Sequence, residues 1–251
     1  MSSVRLLLIQ PGPDDPPGPL GEWLTEAGAD IDLRHPPRDE LPDTLDGYDA
    51  LVVLGGGMDC DDDAGHPWLP AVRLLLGSAV TRGLPTLGVC LGSQLLAASV
   101  GGRVGRGADG PEVGGCLVSK KDAAWIDPLF ADLPLMQDVV QFHRDVITQL
   151  PAGAELLASS PIYPNQAFRV GRCAYGVQFH IETTPDILRL WAAESPEMTE
   201  FAPPDAFSEE KLTTLHTDVA DIWRPFAARF VQLAAGELAP AGSPTRSLPM
   251  A

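Results

Sequence analysis

Apolar residues along this chain fall into short unbroken runs, separated by stretches in which they recur every three or four positions. Residues 4–10, 31–34, 50–54 and 85–89 read as buried strands. Between them, residues 20–27 read as a helix stopped by Gly28, and 91–100 as a short helix. Residues 68–82 have helical spacing, with Leu69, Val72, Leu75, Leu76 and Ala79 on one side. Continuous apolar strands alternating with helices predict an α/β domain, with a central, mostly parallel, twisted sheet covered by helices on both faces. Sheets of this kind bind ligands beyond the carboxyl ends of their strands.

From 103 to 179 the pattern changes to short strands and turns, among them 115–120, 155–159 and 174–179, which predicts a mixed or antiparallel section. The main domain is expected over 1–194. Residues 195–207, rich in proline and acidic residues, read as a linker. A helical extension is expected over 208–236, capped by Ser208 with Glu209 and Glu210 in its first turn. Its stripe of Leu212, Leu215, Val219, Ile222, Phe226, Phe230 and Leu233 should pack on the domain or form a dimer contact, so monomer and homodimer both stay open. Pro225 is expected to kink or split this helix. Residues 237–251 read as a disordered tail.

Composition narrows the function. The chain has 251 residues, and its formal charge of −17 argues against a nucleic-acid binder, because no cationic surplus exists to neutralise phosphates. Cys60, Cys90, Cys116 and Cys173 include no C-x-x-C pair, so neither zinc nor a redox pair is implied, and no cofactor is expected. The start carries no signal-peptide pattern, and no apolar run approaches the ~20 residues of a membrane span. A cytoplasmic, reducing setting is expected, which suits a reactive thiol. Asp59, Asp61 and Asp63 hint at a calcium loop, yet Ala64 stands where the sharp-turn glycine belongs and Pro70 where the bidentate glutamate belongs. They are expected to form an acidic flap near a site mouth. His35, His66 and His216 lack partners at metal-ligand spacing.

Two segments carry chemistry. In the run from Gly88 to Gln94, Cys90 has glycine at both i−2 and i+2, between a strand and a helix. A nucleophile elbow needs this pattern, because the turn is so sharp that neighbouring Cβ atoms would collide. The helix N-terminus that follows favours a thiolate. A buried core cysteine is the alternative for a lone Cys. In the second segment, from Tyr175 to Glu182, a strand ends at His180, and Glu182 two residues on should lie on the same side. The glutamate can then hold the imidazole in one tautomer while the other ring nitrogen faces a thiol, giving nucleophile, base and orienter.

The run from Gly88 to Gln94, the run from Val177 to Glu182 and the glycine loop Gly55, Gly56 and Gly57 together resemble the class I (triad) glutamine amidotransferases, in particular free-standing members similar to the glutaminase half of GMP synthetase. The resemblance covers residues 4–191 and implies a flavodoxin-like arrangement. It departs from the family at Ile181, where proline is usual. It implies that Cys90 forms a γ-glutamyl thioester, with His180 as base and acid and Glu182 as orienter. Gly56 and Leu91 would donate backbone N–H groups to the oxyanion. Gly57, Gln94, His143 and Asp145 would face the substrate, with Asp145 taking its α-ammonium. Glutamine hydrolysis is the reaction implied. Because the chain shows no P-loop, a separate synthetase or ligase partner is expected to use the ammonia. Hydrolysis of a γ-glutamyl peptide or amide by the same triad stays open, as do a non-catalytic binding module and a redox or stress-related relative with a similar cysteine elbow.

Overall fold

The structure, a computed structural model, describes residues 3–36 and 38–242. Strands β1 (Val4–Ile9), β2 (Ala29–Arg34), β3 (Ala50–Val53) and β4 (Thr86–Val89) alternate with helices α1 (Gly18–Glu26) and α2 (Leu69–Arg82), and α3 (Leu91–Ser99) follows β4. Next come β5 (Arg103–Arg106), β6 (Glu112–Lys120), β7 (Met136–His143), β8 (Asp145–Gln149), β9 (Glu155–Ser159), β10 (Ala167–Val170) and β11 (Ala174–Val177). Helices α4 (Pro185–Glu194), α5 (Pro196–Thr199) and α6 (Glu209–Ala234) end the described chain.

The main sheet has the order β2-β1-β3-β4-β11-β10-β9-β6-β7. Its first five strands are mutually parallel, and the remaining four add antiparallel. Strands β5 and β8 pair separately. Strand β1 shows why the sheet needs cover on both sides: Leu6 and Leu8 enter one core with α1 and α6, while Leu7 and Ile9 enter the other with α2 and α3. Each face buries an unbroken aliphatic layer, as the apolar runs predict.

Helix α6 belongs to this core. Leu212, Leu215, Val219, Phe226, Phe230 and Leu233 are buried, and Trp223, fully buried, packs edge-on to Phe130 and at 5.2 Å from the Phe179 ring. Ile222 is only partly buried. The stripe thus packs on the chain itself. Pro225 lies inside one continuous helix and does not split it. Within 195–207, read as a linker, the chain forms α5 and buries Met198 and Ala206. Of the tail, Leu238 packs against the core and the Ala241 amide donates to the Arg172 carbonyl; residues 243–251 lie outside the described part. Among the described residues no helix is long and apolar enough to cross a membrane, and no group of side chains has the arrangement of a metal site.

Candidate active site

Strands β3, β4 and β11 are parallel neighbours, so the chain segments leaving their carboxyl ends meet at one edge of the sheet. The glycine loop leaves β3, Cys90 leaves β4, and Gln178 to Glu182 leave β11. Register brings them level: Val89 pairs with Val177, and the Cys90 amide extends that ladder by donating to the Val177 carbonyl at 2.8 Å.

Cys90 sits at φ 48° and ψ −108°, a strained conformation for a residue with a side chain. The glycines on either side make the turn possible. A Cβ on Gly92 would stand 2.0 Å from the Val53 carbonyl oxygen, and one on Gly88 2.5 Å from the Gly92 carbonyl oxygen. The Cys90 carbonyl accepts from the amides of Ser93 and Gln94, which starts α3 directly behind the thiol.

His180 and Glu182 lie beyond the end of β11, which stops at Val177 rather than running on to His180. The segment is held by a different partner: the His180 amide donates to the Val140 carbonyl of β7 at 2.8 Å. The His180 ring is buried, packs edge-on to Trp191 at 4.7 Å, and places Nδ1 2.7 Å from Glu182 Oε1. Its Nε2 is buried with no hydrogen-bond partner among the described residues. An ideal Cβ on Gly55 would lie 3.1 Å from His180 Cε1 and 3.6 Å from Cys90 Cβ, so imidazole and thiol share the small space that this glycine leaves open. Burial pushes the His180 pKa down, but its interactions with Glu182 and with the neighbouring Cys90 outweigh burial and carry it well above the usual value. The other three thiols are kept protonated. Burial raises Cys60 to about 11, Cys116 to about 12, and Cys173 above its ordinary value.

Two adjoining clefts open on Cys90, sharing Gly56, Gly57, Met58, Phe142 and Ser195 as walls. The first, about 140 Å³, runs over Gln94, His143, Arg144, Asp145 and Asp59. Asp59 comes from the acidic run expected near the site mouth, whereas Asp63 is taken by Arg73 and Asp62 by His66. Asp145 pairs with Arg106 at 3.3 Å. Its carboxyl is raised by burial, against the pull of Arg106 and with the nearby Asp59 adding to the rise. Gln94 Nε2 donates to the Asp145 carbonyl and to Gln178 Oε1. His143, expected to face substrate, lines this cleft, but its ring is engaged inward. Nδ1 lies 3.1 Å from the Asp145 carbonyl, and Nε2 lies 3.2 Å from the buried Glu112 carboxylate without hydrogen-bond alignment. The second cleft, about 220 Å³, runs past His180 to Asp14, Asp15, Trp191 and Glu194.

Among the described residues, no hydrogen bond engages the amides of Gly56, Gly57 or Leu91. At Gly56 the space beside the backbone is taken by side chains of the protein, with Met58 Sδ at 2.6 Å and Leu91 Cδ2 at 3.0 Å from an added Cβ. Gly57 is the position that faces open space.

Sequence reasoning missed Gln178, whose Nε2 reaches Cys90 Sγ at 3.7 Å. It lies two residues before His180, and the alternation that singled out Glu182 would have found it. It also missed Asp15, whose loop leaves the carboxyl end of β1 and therefore falls under the same rule as the other three loops. Trp191 Nε1 pins that loop by donating to the Asp14 carbonyl at 2.8 Å.

The family model for class-I glutamine amidotransferases matches residues 20–188. GMP synthase (glutamine-hydrolyzing) of Ligilactobacillus salivarius is 32% identical over 178 residues, which is 68% of this chain and 33% of that protein. Gamma-glutamyl peptidase 3 of Arabidopsis thaliana is 29% identical over 168 residues, 65% of this chain and 67% of that protein. The crystal structure of a glutamine amidotransferase from Thermotoga maritima superposes with a TM-score of 0.80 at 28% identity, over 93% of this chain and 99% of that one. The chain spans about a third of the length of the GMP synthase it matches.

Proposed function

The chain belongs to the class I glutamine amidotransferases, and from that premise we propose that it hydrolyses γ-glutamyl amide bonds, the side-chain amide of glutamine first among them, through Cys90, His180 and Glu182. The observation that carries this reading is the state of His180. One ring nitrogen is fixed by Glu182 at 2.7 Å, and the other is buried without a partner in the space shared with Cys90.

In this reading Cys90 gives its proton to His180 Nε2 and attacks the amide carbonyl. The oxyanion is met by the unengaged amides of Leu91 and Gly56, each worth on the order of 3 kcal/mol in such a site. Glu182 holds the imidazole in the tautomer that can accept at Nε2 and stabilises the imidazolium that forms. His180 then protonates the leaving nitrogen as the C–N bond breaks, which leaves a γ-glutamyl thioester on Cys90. Water, deprotonated by the same nitrogen, splits the thioester into glutamate and free thiol. The amino-acid end of the substrate then enters the first cleft, with Arg144 meeting the α-carboxylate and Asp145 with Asp59 the α-ammonium, a reading supported by their lining of that cleft. When glutamine is the substrate, the partner that uses the ammonia is a synthetase or ligase.

A second reading, a γ-glutamyl peptide or amide as substrate, is favoured by the cleft of about 220 Å³ on the His180 side, far larger than ammonia requires. Both are tested by incubating the purified protein with glutamine and with a panel of γ-glutamyl peptides and following glutamate release, with Cys90→Ala as control. Release that depends on Cys90 supports the shared chemistry, and the preferred compound decides between the readings. No release from any of them overturns both.

A further inference from the structure

From the geometry of the second cleft we infer that it is a leaving-group site for amines bearing a positive charge at their far end, so that the substrate is a γ-glutamyl amide of a diamine-like compound. This rests on the γ-glutamyl hydrolase reading and goes beyond it in naming the class of leaving group.

The side of the leaving group follows from the proton. The nitrogen expelled from Cys90's substrate must receive a proton from His180, so it has to sit where Nε2 points. His180 lines the second cleft and not the first, so a nitrogen that takes its proton leaves into that cleft. The glutamyl part then lies in the first cleft, over Gln94 and Asp145.

Size and charge define what occupies the second cleft. Its volume, about 220 Å³, is several times the roughly 30 Å³ share of one water in liquid, a fair measure of ammonia as well. Asp14, Asp15 and Glu194 line it, and no lysine or arginine does. Among the described residues none of these three carboxylates has an ion-pair partner. Glu194 is also the last residue of α4, whose C-terminal carbonyls add negative potential at the same place. Phe142 and Trp191 supply flat apolar walls, suited to a methylene chain and to a cation over a ring face. The Asp15 carboxyl is pushed up to about 6, chiefly by burial, and a cation beside it would draw it back down. An anionic far end would meet three carboxylates, whereas a cationic one would pair with Asp15, the partly buried one of the three, and face the exposed Asp14 and Glu194.

The chemistry needs only water. The Cys90 sulfur bonds to the γ-carbonyl carbon, the C–N bond breaks, and the His180 proton leaves with the amine. Water then replaces sulfur, which releases glutamate and restores the thiol.

The test uses the whole chain and four compounds: glutamine, the γ-glutamyl monoamide of diaminobutane, its neutral isostere γ-glutamyl butylamide, and γ-glutamyl aminobutanoate. For each, kcat/KM is measured by glutamate release in the parent protein and in Asp15→Asn, Glu194→Gln and the double variant. The cationic amide is expected to exceed the butylamide by at least about tenfold, with the aminobutanoate poorest. The cationic-to-neutral ratio is read within each variant, so a general loss of turnover cancels. It is expected to fall several-fold in each single variant and toward unity in the double one. Turnover of glutamine or butylamide at least equal to that of the cationic amide, or a ratio unchanged in the double variant, overturns this inference and leaves the hydrolase reading standing. Absence of turnover of all four overturns both.

Discussion

The backbone N–H of Ile181 donates to Oε2 of Glu182 at 2.8 Å, while Oε1 of the same carboxylate holds the His180 ring. Proline, the usual residue of the family at this position, has no N–H and cannot make that bond. The departure at 181 therefore adds a constraint on the orienting carboxylate, although the Ile181 side chain itself is buried in the core away from the clefts. A hydrogen bond to a charged group is worth about 1.5–3 kcal/mol. Ile181→Pro is expected to lower kcat/KM for a γ-glutamyl amide by about tenfold. Ile181→Val keeps the donor and should lose only about 1 kcal/mol of stability. Equal activity in the two variants would show that the bond does not matter to turnover.

Thiol labelling separates Cys90 from the other cysteines. Only the thiolate is nucleophilic, and burial lifts Cys60 to about 11 and Cys116 to about 12, with Cys173 raised as well. Brief treatment of the native protein with iodoacetamide near neutral pH should place the first label on Cys90, read by peptide mass, and abolish glutamate release in step. His180→Gln should slow that labelling. A first label on Cys60 or Cys116 would contradict the assignment.

Two glycines of the site should respond in opposite ways. A Cβ on Gly92 would meet the Val53 carbonyl at 2.0 Å, while one on Gly57 would meet nothing within 4 Å. Because backbone must move to admit it, Gly92→Ala is expected to cost about 3 kcal/mol. Gly57→Ala should stay within about 0.5 kcal/mol of the parent while lowering kcat/KM, since Gly57 walls both clefts. Urea midpoints and steady-state rates measure the two effects, and equal stabilities would refute the elbow argument.

What was legible in the sequence is what local geometry dictates. The spacing of Gly88, Cys90 and Gly92 announces a strand-to-helix turn too tight for side chains, and His180 with Glu182 announces an oriented base. Apolar runs gave the parallel half of the sheet. The short strands and turns of 103–179 announced the antiparallel half, and the apolar stripe of α6 its packing on the domain, but the strand order and the inward engagement of His143 with Glu112 depend on pairings between distant strands, such as Glu112 with His143 across β6 and β7. No local pattern encodes those. Asp15 was hidden for a related reason: its proline-rich loop has no periodicity, and a tryptophan from α4, 177 residues away, fixes it at the site.

Asp15 also predicts how stability varies with pH. Its folded pKa, about 6, stands above the ordinary value of 3.8, because burial outweighs the attraction of His180 and Glu182 adds to the rise. The folded state therefore binds this proton more tightly than the unfolded chain does. The carboxylate costs stability above pH 6, the cost shrinks as pH falls from about 6 toward 3.8, and it is absent below that. One pKa unit corresponds to about 1.4 kcal/mol, and partial exposure of the side chain reduces the effect to about 1–2 kcal/mol. Asp15→Asn should thus stabilise the protein by about that much near pH 7 and by nothing near pH 4, judged by urea midpoints at each pH. A gap of the same size at both would mean that the gain comes from packing. A cation bound in the second cleft would pair with the carboxylate, draw its pKa back down and recover the lost stability.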